Sequence, residues 1–199
     1  QKPFVKWLYK KMWGKKLLFI FFGQKKDKIE WPAWVRKTDE ERIENLPWIL
    51  EDKSVKWFAT EKIDGTSATF ALKRAKNIFA NNEYYVCSRN VVFNTPEKAE
   101  KCYYDTNVYL EMAEKYNMRQ VLEQILILDD SLNFVTIQGE IYGKGIQKRT
   151  YDLKGHNIAI FNVILGYKNG KVIRLNPREM TNLMEHYNLP CVPILNESY

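Results

Sequence analysis

Residues 157–165, Asn-Ile-Ala-Ile-Phe-Asn-Val-Ile-Leu, are almost entirely apolar and rich in β-branched side chains. Such side chains suit a pleated backbone, and a strand this apolar must be buried. Further β-rich runs share the chain with it. Residues 55–61 and 67–73 flank the tight Asp64-Gly65-Thr66 turn, and 84–88 and 134–142 follow. Lys168-Asn169-Gly170-Lys171 is a hairpin turn leading into 172–174. Helical spacing appears over 106–116 (Val108, Leu110, Met112) and 119–128 (Val121, Leu122, Ile125, Leu128), with Asn117 as the break. Asn176-Pro177 caps a third helix running to about Tyr187, with proline at its first position. Thr38-Asp39-Glu40-Glu41 has the form of a capping box opening a short helix, which Pro47 would close. Strands outnumber helices and recur as hairpins. The expected fold is α+β, with antiparallel sheets and helices on their outer faces.

Residues 1–30 read differently, being dense in lysine and aromatics with no acidic residue before Asp27. They are expected to form an N-terminal arm or the end of a preceding module, with 31–199 as the main domain and Trp31-Pro32-Ala33-Trp34 as an extended connector. The net charge is +7, and the basic residues cluster: Lys10, Lys11, Lys15 and Lys16; Lys25, Lys26 and Lys28; Lys144, Lys148 and Arg149. Trp7, Tyr9 and Trp13 are interleaved with the first cluster. Cations among stacking rings suit a phosphate backbone, although an amphipathic surface helix has the same pattern. Three scattered cysteines (Cys87, Cys102, Cys191) and two histidines make neither a disulfide framework nor a Cys/His zinc site, and a cytoplasmic setting fits. The longest apolar run, 17–22, is too short to span a bilayer, so no membrane association is expected.

The sharpest local feature is Glu61-Lys62-Ile63-Asp64-Gly65-Thr66. A lysine at a strand end before a tight turn is held on a rigid scaffold. To act as a nucleophile a lysine must shed its proton, which nearby cations and desolvation promote. Alone, the motif more often describes a hairpin turn with a solvated lysine. Gly139-Glu140-Ile141-Tyr142-Gly143-Lys144-Gly145-Ile146-Gln147-Lys148 is a strand ending in a carboxylate, then a Gly-rich basic loop. Glu140 can accept hydrogen bonds from ribose hydroxyls, hold a metal through water, or simply pair with a lysine. Ser88-Arg89-Asn90 offers a guanidinium suited to a phosphate or to an ion pair. Phe161, in an apolar strand, is either core or a ring for a purine to stack on.

Together and in this order, these segments resemble the nucleotidyltransferase motifs of ATP-dependent RNA ligases of the RNA ligase 2 type. EKIDGT is similar to motif I, SRN to motif Ia, GEIYGKGIQK to the family's glutamate segment and IAIFNVI to motif III. WPAWVRKTDEERIENLPWIL resembles the opening of a branch in which an OB-like module precedes the catalytic domain. The resemblance implies a nucleotidyltransferase fold with an ATP site between its sheets. It makes Lys62 the residue that takes AMP from ATP, Phe161 the ring on adenine, Glu140 the ribose contact and Arg89 a phosphate contact. Glu61 and Ile63 would flank the adenine edge, and Asp64 and Glu140 would organise Mg²⁺ or Mn²⁺ through water. Ser67 stands where phage enzymes of the family typically carry asparagine.

The implied activity is sealing of 3′-OH and 5′-phosphate ends in RNA or an RNA-containing nicked duplex, with no obligate protein partner. The family's motif IV glutamate strand and motif V lysines are expected after the helix at Pro177, and neither occurs before Tyr199. Charge neutralisation on the triphosphate dominates such transfers, so residues 1–199 alone are expected to be a poor adenylyltransferase and the sequence is read as incomplete. The rival readings are a non-catalytic nucleic-acid-binding module of the same fold, a DNA ligase, and a GTP-using capping enzyme.

Overall fold

The computed structural model describes residues 31–77, 79–93, 106–147 and 151–197. The basic clusters before Glu30, together with Lys148, Arg149 and Cys102, lie outside these residues.

Five strands form the main sheet. They are β2 (Thr66–Lys73), β3 (Glu83–Cys87), β4 (Leu132–Gly143), β5 (His156–Tyr167) and β6 (Val172–Arg174), in the antiparallel order β3-β2-β4-β5-β6. β1 (Ala59–Thr60) and β7 (Ile194–Asn196) form a separate two-stranded antiparallel sheet. The α-helices among the described residues are α1 (Val108–Lys115), α2 (Met118–Leu128) and α3 (Pro177–His186). Asn107 caps α1 by accepting a hydrogen bond from the Leu110 amide, and Asn117 separates α1 from α2 in the left-handed conformation. Asn176 and Glu179 make a complete capping box on α3.

Alternation along the strands divides the main sheet into two chemically different faces. Ala68, Phe70 and Leu72 of β2 and Val135, Ile137 and Ile141 of β4 share one buried core with Met112, Met118, Leu122, Met180 and Met184 of the helices. Each large side chain fully buried there contributes about 1.5–3 kcal/mol. On the other face Ser67 pairs in register with Glu140, and Thr69 with Gln138.

The segment before β1 departs from the sequence expectations. Instead of a helix opening at Thr38, there are 3₁₀ turns at Ile43–Asn45 and Pro47–Glu51, and Pro47 begins the second rather than closing a helix. Instead of an extended connector, Trp31 to Val35 form a turn, with the Val35 amide on the Pro32 carbonyl and the Trp31 indole on the Val35 carbonyl. The polar side chains meant for a cap are used across the polar sheet face. The Ser67 hydroxyl donates to Thr38 Oγ1 at 2.8 Å, Asp39 pairs with Arg89, and Glu40 pairs with Arg174. Gln138 Nε2 donates to the Arg36 carbonyl at 2.7 Å and Asn162 Nδ2 donates to Gln138 at 3.0 Å, while Trp34 packs on Tyr85 and Phe134. Residues 34–40 therefore strap the polar face.

The expected strand over 55–61 is also shorter, only Ala59–Thr60, and it pairs with β7 rather than with β2. The Asp64–Gly65 turn is thus a crossing from one sheet to the other and not a hairpin. Among the described residues no helix is long and apolar enough to cross a membrane.

Candidate functional site

The crossing from β1 to β2 is anchored at both ends. The Glu61 amide donates to the Pro193 carbonyl at 2.9 Å, and Thr66 enters the β2–β4 ladder opposite Ile141. Between these anchors Lys62 is exposed while Ile63 is buried. Gly65 is required by space: a Cβ there would overlap the Ile141 carbonyl of β4. This close approach brings the turn against Glu140.

Glu140 is half-buried, and burial pushes its carboxyl up to about 7. The neighbouring Lys62 charge and a hydrogen bond from the Gly65 amide oppose that rise, while Asp64 adds to it. The group is therefore poised between its acid and its carboxylate near neutral pH. Folded Glu140 holds its proton to a higher pH than the unfolded chain does, so its ionisation costs stability as pH rises from about 4.5 to about 7. Glu140→Gln is expected to remove this dependence. The melting temperature of the variant relative to the parent should rise between pH 5 and pH 8, as scanning calorimetry at the two pH values would read.

Beside these charges lies a small apolar cluster of Ile63, Ala159 and Val192, packed by Tyr142, Tyr151 and Phe161. A bulge in β5 opens Phe161 to it. Gln138 pairs with Asn162 and Gly139 with Ile160, which leaves Phe161 unpaired between them. Residues 190–193 close the cluster, with Ile160 donating to the Pro190 carbonyl and Val192 donating to the Ile160 carbonyl. An apolar cluster bordered by a lysine and two carboxylates offers apolar surface to a base and charge to a phosphate. The donors that Asp64 and Glu140 could offer a metal are oxygens, which suit a hard divalent cation. No group of three potential metal ligands occurs among the described residues, so a cation here would take its remaining donors from water and phosphate.

The RNA ligase family model matches residues 55–199. The chain belongs to the RNA ligase family. Solved structures agree with the family's assignment. A lysine variant of the Naegleria gruberi RNA ligase with ATP and Mn is 29% identical, with a TM-score of 0.62 over 84% of this chain and 44% of that one. An apo lysine variant gives 29% and 0.63 over 85% and 46%. Another with AMP and Mn gives 28% and 0.62 over the same shares. This RNA ligase family chain thus spans less than half the length of these structures. No curated protein sequence matches it significantly.

Of the residues singled out in the sequence, Lys62, Ile63, Asp64, Glu140 and Phe161 converge on the seam between the sheets, with Glu61 on its edge. Arg89 follows β3 and is held by Asp39 of the strap rather than left open. Two residues of this site escaped the sequence reading. Tyr151 donates its ring to the apolar cluster and accepts a hydrogen bond from the Asp64 amide on its hydroxyl. Gln147 reaches the Gly65 carbonyl. Gln147 stood inside the recognised GEIYGKGIQK segment, but only the folded loop shows what it touches. A groove of about 590 Å³ between α3 and residues 189–197 is lined by none of the residues predicted for the site.

Proposed function

We propose that the chain is the nucleotidyltransferase part of an ATP-dependent RNA ligase, with Lys62 as the residue that carries AMP. The observation that carries this reading is the convergence of Lys62, Glu140 and Phe161 at one seam in a chain of this family. The adenine stacks on Phe161, with Ile63 and Glu61 at its edge, and Glu140 accepts from the ribose. The Lys62 amine, its proton lost to solvent, attacks the α-phosphorus. A nitrogen–phosphorus bond forms and the bond to pyrophosphate breaks. AMP then passes to the 5′-phosphate of an RNA end, and attack by a 3′-OH releases AMP and joins the strands. Mg²⁺ or Mn²⁺, the latter present with ATP in the Naegleria structure, would neutralise phosphate charge. Asp64 and Glu140 are the residues to hold its water shell.

Arg89 is the phosphate contact in this reading. Its pair with Asp39 is more than half exposed on both sides, and such pairs contribute about 0–1 kcal/mol, so a phosphate can displace the carboxylate. Residues 1–30 are a segment separate from the nucleotidyltransferase domain, either an N-terminal arm or the end of a preceding module, and the support is that Trp31–Tyr199 is a compact unit by itself. The family supports an RNA partner, and the scattered cysteines support a cytoplasmic location.

The test gives the full-length protein α-labelled ATP or GTP, then nicked duplexes with RNA or DNA ends. Label on protein from ATP, followed by sealing of RNA-ended nicks, is the expected result. Salt-sensitive RNA binding without label would make this a binding module instead.

A further inference from the structure

The turn that follows Lys62 is gripped by side chains of a single loop. The Asp64 amide donates to the Tyr151 hydroxyl at 2.8 Å, and Gln147 Nε2 donates to the Gly65 carbonyl at 3.1 Å. The Tyr151 ring packs with Ile63 in the apolar cluster and stands edge-on to Tyr142, 5.0 Å between centroids. One side chain thus holds both residues that follow Lys62. On the other side, the Glu61 amide is held by the Pro193 carbonyl. Lys62 is exposed between two fixed stretches of backbone.

The loop's own geometry fits this use. Gln147 (φ +53°), Tyr151 (φ +51°) and Asp152 (φ +55°) are all left-handed, whereas the other described non-glycine residues with positive φ are Asn117 and Asn188. Asparagine tolerates that region, but tyrosine and glutamine adopt it only where surrounding contacts impose it. The base of the loop is fastened. The Lys144 amide donates to the Gly155 carbonyl at 3.2 Å, and His156 bridges the Lys144 carbonyl and Glu111 at 2.9 and 2.8 Å.

We propose that Tyr151 and Gln147 are positioning residues for Lys62, holding its backbone so that the amine meets the nucleotide in one orientation. The proposal rests on Lys62 as the AMP acceptor. A lysine side chain has four rotatable bonds, so a backbone free to pivot would spread its amine over many positions. A misplacement of about 1 Å at a reacting group can cost about a hundredfold in rate.

The test is Tyr151→Phe in the full-length protein, which removes the hydroxyl and keeps the ring. Two readouts are taken: hydrogen exchange at the Asp64 amide without nucleotide, and AMP transfer to protein across ATP concentrations. The expected result is exchange faster by about tenfold and a maximal transfer rate lower by about tenfold, with half-saturating ATP unchanged. Gln147→Ala should lower the maximal rate in the same way, and it carries the test if Tyr151→Phe fails to fold. Parent-like exchange or a parent-like rate overturns the proposal. A change confined to half-saturating ATP also overturns it, because Tyr151 would then be a nucleotide contact. If the parent protein takes no AMP, the reading of Lys62 has failed, and the exchange measurement still decides whether Tyr151 holds the turn.

Discussion

Lys62→Ala is expected to reduce AMP transfer to the protein to background while leaving the fold in place. The side chain is exposed, so the substitution should change stability by no more than about 0.5 kcal/mol. Chemistry is a different matter. Lys62 is the lysine whose charge acts on Glu140. Removal of an attacking group is not compensated by the binding groups that remain, and losses of about 10⁴-fold or more are ordinary for such changes. Lys62→Arg should fail equally, because a guanidinium stays protonated and offers no lone pair. Unchanged melting beside lost labelling separates a chemical role from a structural one.

Gly65→Ala is the second large effect, and its cause is space. The added methyl would fall on the Ile141 carbonyl of β4, which is backbone and cannot swing aside. Either β2 separates from β4 at the Thr66–Ile141 pair or the turn moves outward. Overpacking of this kind costs about 1–3 kcal/mol, sometimes more. The turn also supplies the amide that Glu140 accepts. The expected outcome is a lowered melting temperature together with AMP transfer reduced by about a hundredfold or more. Thermal melts and label transfer on the same preparation check both halves. A Gly65→Ala protein with parent-like melting and transfer would mean that the turn is not wedged against β4.

Much of this architecture was legible because its determinants are local. Asn176 and Pro177 announce the start of α3, and the structure adds Glu179 to complete a capping box. Gly170, at φ +87°, makes the hairpin between β5 and β6. The apolar run expected to be a buried strand is the middle of β5, with Ile158, Ile160 and Val163 in the core.

The misread segment fails for the opposite reason. Thr38, Asp39 and Glu40 have the composition of a helix start, but their partners stand 29, 50 and 134 residues away at Ser67, Arg89 and Arg174. Local propensity loses to contacts that only the folded sheet creates. The same applies to the site. Lys62, Glu140 and Phe161 could be named from their motifs, whereas the partner of Arg89 and the grip of Tyr151 on Asp64 depend on distant pairings. β7 was unreadable because three residues carry too little periodicity, and only its pairing with β1 makes it a strand.

Mapping the adduct tests most directly whether Lys62 accepts AMP. The full-length protein would be incubated with ATP and a divalent cation, digested, and its peptides sequenced by mass spectrometry. AMP is expected on the peptide that carries Glu61-Lys62-Ile63, at the lysine, and none there in Lys62→Ala. AMP on a different lysine, or a fully folded protein with no adduct at Lys62, would contradict it.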